Sequence, residues 1–426
     1  MKRLATLKLL LLVSVAVVPQ SNEYNAIYLV DGNSDKEVYR SHVTLESYQN
    51  MENVVRADNG TKLTLTSMNL NKTSGICKDS KLRHSEGVNA VALATNGSTL
   101  VLENCRMVSH AQNADVVVAG KGQSKVKVIS PVINMSRDNS AGFNALNSGT
   151  IEASNVNITT AAFTSPAFLT QVGGKIVVEN AEGTLRGADS PIAYSSGDIS
   201  IKGGRMLTYN SHIATVNSTG KLTLEDVLYY GYRYYGFQLY SKDTRTDRKQ
   251  KGALTLTNSS FTISEGPMFY VSNTDVEVTI ENVKFSMSRK APFIQAAAGD
   301  WGTEGTNGGH IVVNLNNQDI AGDIDTDEIS TVKLVLNEKS SFKGAINREN
   351  KGQASIVLSD KALWIVTADT YLKTIEFATT EESIEKALKK INSKGHNIYY
   401  DASNEANAPL QGKSYPLKGG GSLLTY

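Results

Sequence analysis

Short strands of the form apolar-x-apolar recur along most of this chain, from Leu63/Leu65 through Leu100/Leu102, Ile151/Ala153, Ile199/Ile201 and Leu254/Leu256 to Ile356/Leu358. Most spacings lie between 21 and 26 residues, and the three longer ones contain insertions. Alternation marks one buried and one exposed face of each strand, and a fixed period marks a stacked repeat. Two residues after each apolar pair stands a turn position, held by Asn104, Asn155, Asn180, Asp226, Asn258, Asn282, Asn317 and Asp360. Asn and Asp tolerate left-handed backbone and bond neighbouring peptide groups, so stacked turns predict a hydrogen-bonded ladder. A further apolar slot follows each turn (Leu70, Met107, Ile158, Met206, Tyr229, Phe261). A third strand precedes each Gly-containing turn, as in residues 89–95, 141–147 and 166–172.

The pattern predicts an all-β solenoid of three-strand coils, about twelve of them, in a rod on the order of 55 Å long. Residues 379–395 carry a Thr start, early Glu, late Lys and a closing Gly, which predict a helix in a C-terminal cap over 371–426. The solenoid is then expected over 27–370. Residues 1–26 read as an export signal: Lys2, Arg3 and Lys8 precede an apolar run from Leu9 to Val18 that is too short for a confident membrane span. The expected location is therefore secreted or cell-surface, with no membrane span after signal removal.

The three-strand coil, the Asn ladder and the period resemble the right-handed parallel β-helix of the pectin-lyase-like superfamily. Residues 305–324, 340–347, 355–375, 399–403 and 412–423 are similar to secreted bacterial adhesin-like β-helix proteins. The resemblance implies the fold and export, and it implies adhesion or glycan binding more readily than catalysis. Enzymes of this fold cleave acidic polysaccharides, with carboxylates, Lys/Arg and often calcium on the outer face of one strand column.

Composition and charge limit the chemistry. The net charge of +1 gives no reason to expect nucleic acid as a partner. The strands before the Gly turn contain one acid, Asp115, and no Lys or Arg, so that column carries no catalytic set of its own. Glu179, Lys202 and Glu225 fall on successive coils and read as a cross-strand charge ladder. Asp323, Asp325 and Asp327 have the spacing of a calcium loop's first ligands, but the required Gly and final Glu are missing, so no cofactor is expected. Asn273–Asp275 matches one element of a polygalacturonase signature without its companions, and the six histidines form no cluster.

The candidate binding residues are aromatic and basic. In the run Leu228–Tyr240, Tyr229, Phe237 and Leu239 are expected inside the solenoid. Tyr230, Tyr232, Tyr234, Tyr235 and Tyr240 are expected outside or in the turn. Two insertions, 240–252 and 296–309, fall at one turn and are expected to bring Arg245, Arg248, Lys249 and Lys251 near Asp300, Trp301 and Glu304. Trp301 is the candidate platform for a glycan or a matrix component. Cys77 and Cys105 are either one disulfide or two unrelated buried thiols. A polysaccharide lyase or hydrolase and a purely architectural surface protein are the competing readings.

Overall fold

The computed structural model describes residues 25–32, 36–243, 251–288, 290–378 and 383–426. It is a parallel β-solenoid. Thirteen successive parallel pairings join fourteen strands of the first column, from Glu37–Ser41 to Thr374–Ala378. The column thus has two more rungs than the apolar pairs predict. Val38 and Ile375 head these end rungs, where Arg40 and Phe377 stand at the second inward slot.

The second column follows the Asn turn, beginning at Thr44–Ser47 and closing at Ile391–Asn392. The third column is a twelve-stranded parallel sheet from Ala26–Val30 to Ile324–Thr326. Stacking continues past residue 370: Thr370–Leu372 pairs in parallel with Ile398–Tyr400, which pairs with Ser422–Thr425. An antiparallel strand, Tyr415–Pro416, closes that end.

Register explains the core. Val126, Ile151, Ile176, Ile199 and Leu222 lie directly over one another, so each buried side chain meets one of similar shape in the coils above and below. Aromatic residues stack in the same way. The rings of Phe143 and Phe168 are 5.3 Å apart and nearly parallel, as are those of Phe237 and Phe269.

The Asn turns are left-handed, with φ between 46° and 60° at Asn104, Asn155, Asn180, Asp226, Asn258, Asn282 and Asn317. The expected side-chain ladder is real only in part. Asn180 donates to Asn155 at 3.2 Å and Asn282 to Asn258 at 2.8 Å. Ser130 and Gly203 occupy intervening turns and interrupt it. Asp360 does not belong to the series: its turn closes through Ala362 N–H to Ser359 O, and its carboxylate faces Lys390 Nζ at 3.3 Å.

A more continuous polar ladder lies at the opposite corner, between the second and third columns. Ser140, Ser165 and Ser190 are fully buried. The Oγ of Ser140 accepts from Ala114 N–H, that of Ser165 from Ser140 N–H, and that of Ser190 from Ser165 N–H. These bonds satisfy peptide groups in turns that water cannot reach.

The C-terminal helix is shorter than predicted. It spans Ile384–Leu388 with Ser383 as N-cap, because the chain re-enters the second column at Ile391; residues 379–382 lie outside the described residues. A second helix, Ser80–Glu86, lies in the insertion around 71–87, capped by Asp79 and closed by Gly87 in left-handed conformation. The two cysteines are free. Cys105 points into the solenoid core, whereas Cys77 sits outside the columns beside Asp79 O, so the two thiols belong to different environments.

Candidate functional site: a walled groove on the third column

The helix Ser80–Glu86 lies on the outer face of the third column, where Ala90, Leu93, Val118 and Leu146 form a small apolar cluster separate from the main core. Gly87 packs so closely there that a Cβ would meet Leu93 and Val118 within 3 Å. Arg83 fixes the helix. Its guanidinium lies 2.6 Å from Asp115, and both side chains are almost fully buried. From the next helix position, His84 Nδ1 reaches Gln171 Nε2 at 2.9 Å.

The insertion 296–309 lies further along the same face. Asn307 binds Gly299 O and receives Asn273 N–H, which folds the loop back over the coil before it. The fold-back places Trp301 against Tyr240, ring centroids 4.3 Å apart. Tyr240 is buried rather than outward. Its hydroxyl lies 2.8 Å from that of Tyr194, and burial pushes both phenols above their ordinary range.

Between helix and loop lies a groove of about 610 Å³. Leu169, Tyr194 and Gln238 form its floor. One rim consists of the left-handed turn residues Asn139, Thr164 and Asp189, and the other of Ser196, Asn217, Lys242 and Trp301. His212 closes the floor, with Nε2 bonded to Thr215 Oγ1 at 2.5 Å; full burial pushes its pKa down to about 4. Burial also pushes the His84 imidazole down. Both rings are neutral at pH 7.

Between residues 89 and 297 the third-column segments carry only Asp115, and that acid is consumed structurally by Arg83, Ala141 N–H and Asn144. The column's end strands add Arg56, which is paired with buried Asp58, and Asp325. The groove is built by residues outside those strands. The missed signal was legible: Asn139-Ser140-Ala141, Thr164-Ser165-Pro166 and Asp189-Ser190-Pro191 repeat one turn motif, whose first residue faces the groove and whose serine forms the buried ladder.

The tyrosine run divides among separate environments. Tyr229, Phe237 and Leu239 are core. Tyr229 keeps a buried hydroxyl with no hydrogen-bond partner. Tyr232 is 38% exposed, but its ring stacks on Tyr209 at 5.1 Å. Half-buried Tyr235 stacks on Tyr270 at 4.5 Å. Tyr230 lies beneath the guanidinium of Arg205. Tyr234, 47% exposed, takes a left-handed φ of 68°. These rings are therefore partly covered by neighbouring coils, Tyr232 by Tyr209 and Tyr235 by Tyr270.

Arg245, Arg248 and Lys249 lie outside the described residues. Lys251 borders Asp275 and His310 on the first column. Asp323 and Asp327 are directed to separate peptide groups, Ala345 N–H and Ala298 N–H, and Asp323 also meets Arg348. Among the described residues no three His, Cys, Asp or Glu side chains are grouped to hold a metal. Lys202 bridges to Glu225 at 2.8 Å with Glu179 opposite it in register, which makes this trio a solvated charge ladder. No described helix is long and apolar enough to cross a membrane. No family model, curated protein or solved structure matches the chain.

Proposed function

We propose that this chain is an exported, non-catalytic β-solenoid that binds a neutral glycan in the groove between the helix Ser80–Glu86 and Trp301. The observation that carries this reading is the tilted Trp301–Tyr240 pair set beside amide and hydroxyl side chains. An aromatic face takes up the apolar side of a sugar ring, while Asn139, Thr164, Gln171 and Gln238 suit its hydroxyls. The charge pattern supports a neutral ligand: Asp189 and Lys242 offset each other, and Arg83 is committed to Asp115. Non-catalysis is supported by the carboxylates of the groove: among the described residues that line it, Asp189 is the only one. Acid/base cleavage of a glycan needs a second group across the bond, and His212 is already bonded to Thr215. Export is supported by the basic start and apolar run of residues 2–18.

A glycan array probed with the purified chain tests the reading. Retention of a neutral oligosaccharide by the wild type and its clear weakening in Trp301→Ala is the expected result. Absence of any neutral glycan ligand overturns it, and turnover of a uronic-acid polymer would overturn the non-catalytic part.

A further inference from the structure

Three successive coils near the middle of the rod carry large side chains on the outer face of the second column. Register places Glu182, Thr184 and Arg186 in the first of these, Arg205, Leu207 and Tyr209 in the next, and Leu228, Tyr230 and Tyr232 in the third. The coil before presents Asn157 and Thr159 at the matching positions, and the coil after presents Ser260 and Thr262. The large residues thus form an island raised above small polar neighbours.

Within the island Arg186 caps the ring of Tyr209 at 5.0 Å, Tyr209 stacks on Tyr232, and Arg205 covers Tyr230 at 5.3 Å. A guanidinium held over a ring face keeps N–H groups available for an acceptor. Neither arginine has a carboxylate within ion-pair distance among the described residues, although Glu182 stands opposite Arg205 in register. Two guanidiniums without an ion-paired carboxylate, on rings that carry hydroxyls, constitute a donor set for tetrahedral oxyanions.

We infer that this island is a second binding site, distinct from the groove, for the sulfate groups of a linear sulfated polysaccharide. Nucleic acid fits it poorly. Both faces of Tyr209 are taken, by Tyr232 and by Arg186, and one face of Tyr232 is taken by Tyr209, which leaves a single ring face for a stacked base. A sulfated chain crossing the coils obliquely would instead meet Arg186 and Arg205 on consecutive coils, about 4.8 Å apart along the rod and four residues apart along the strand direction.

The test measures binding of the purified chain to heparin, to fully desulfated heparin and to duplex DNA, at low and at physiological ionic strength. Heparin is expected to bind, more weakly as salt screens the contact, and desulfated heparin is not. Arg186→Gln/Arg205→Gln should lower heparin affinity by about tenfold or more, since charge-assisted bonds are lost, with an unchanged circular dichroism spectrum. Trp301→Ala should bind heparin as the wild type does, which separates this site from the groove. Inorganic sulfate should compete only at far higher concentration than the polymer. Failure of heparin to bind, equal binding of the desulfated polymer or of DNA, or an unaffected double variant would overturn the inference.

Discussion

Arg83 reaches out of the helix Ser80–Glu86 to bury its guanidinium 2.6 Å from Asp115, 32 positions later and two residues before the third-column strand Val117–Ala119. Asp115 Oδ1 also accepts Ala141 N–H, and Oδ2 accepts from Asn144, so one carboxylate joins the helix to two coils. Removing one partner of such a pair strands a buried charge. Asp115→Ala is expected to cost about 3–5 kcal/mol in urea unfolding. Replacing both partners together, as Arg83→Met/Asp115→Leu, should cost much less, and equal losses in the two variants would refute a coupled clamp.

Trp301 is partly exposed and contacts the described core chiefly through Tyr240. Trp301→Ala should weaken glycan binding roughly tenfold, from the lost aromatic contact, while the unfolding midpoint moves little. Tyr240→Phe removes the hydroxyl paired with Tyr194 and should lower stability by about 1 kcal/mol. Calorimetry with the ligand identified by array and thermal unfolding without it separate the two effects.

His212 gives the fold a pH dependence of known sign. Its folded pKa of about 4 lies below the ordinary value of 6.5, so the unfolded chain takes up the proton first as pH falls. Stability is retained above about pH 6.5 and declines as pH drops toward 4, by up to about 3 kcal/mol from this group. His212→Asn should flatten that slope in chemical denaturation between those pH values. An unchanged slope would assign the acid sensitivity to carboxylates.

The tyrosines of the run are not interchangeable. Tyr235→Ser, which removes a ring stacked on Tyr270, should cost about 1–2 kcal/mol. Tyr234→Asn should stabilise by about 1 kcal/mol, because Asn accepts the left-handed backbone that Tyr234 is forced to adopt. Thermal shifts of opposite sign in these two variants are the expected observation.

Ser165→Ala tests the buried serine ladder. It leaves Ser140 N–H without its acceptor and should cost about 1–3 kcal/mol, against a few tenths for a serine on the solvent face such as Ser260.

The solenoid was readable in the chain because its cause is local. Leu63/Leu65 or Ile199/Ile201 alternate with period two, and the left-handed turn after them admits few residues other than Asn, Asp or Gly. The end rungs escaped detection because Arg40 and the half-buried Phe377 weaken the apolar pair there. The groove was largely hidden because it depends on tertiary placement. Nothing around Lys81–Glu86 announces that this helix will lie over Leu93 and Val118, and the length of 296–309 does not reveal that the loop folds back over Tyr240. Where Tyr229 and Phe237 faced the core, alternation sufficed. Tyr240 broke the alternation because the returning loop buried it from outside.

The floor of the groove follows one residue per coil: Leu169, Tyr194, Thr215 and Gln238 lie side by side in register, with Thr215 buried beneath His212. Its length is therefore a count of rungs, three steps or about 14 Å between end walls that belong to separate insertions. Such a site works as a ruler. Inserting one complete coil between the Ser80–Glu86 wall and the Trp301 wall would lengthen the aperture by about 4.8 Å without redesigning either end, so ligand size in this architecture can change in whole units while the core's stacking pattern stays the same.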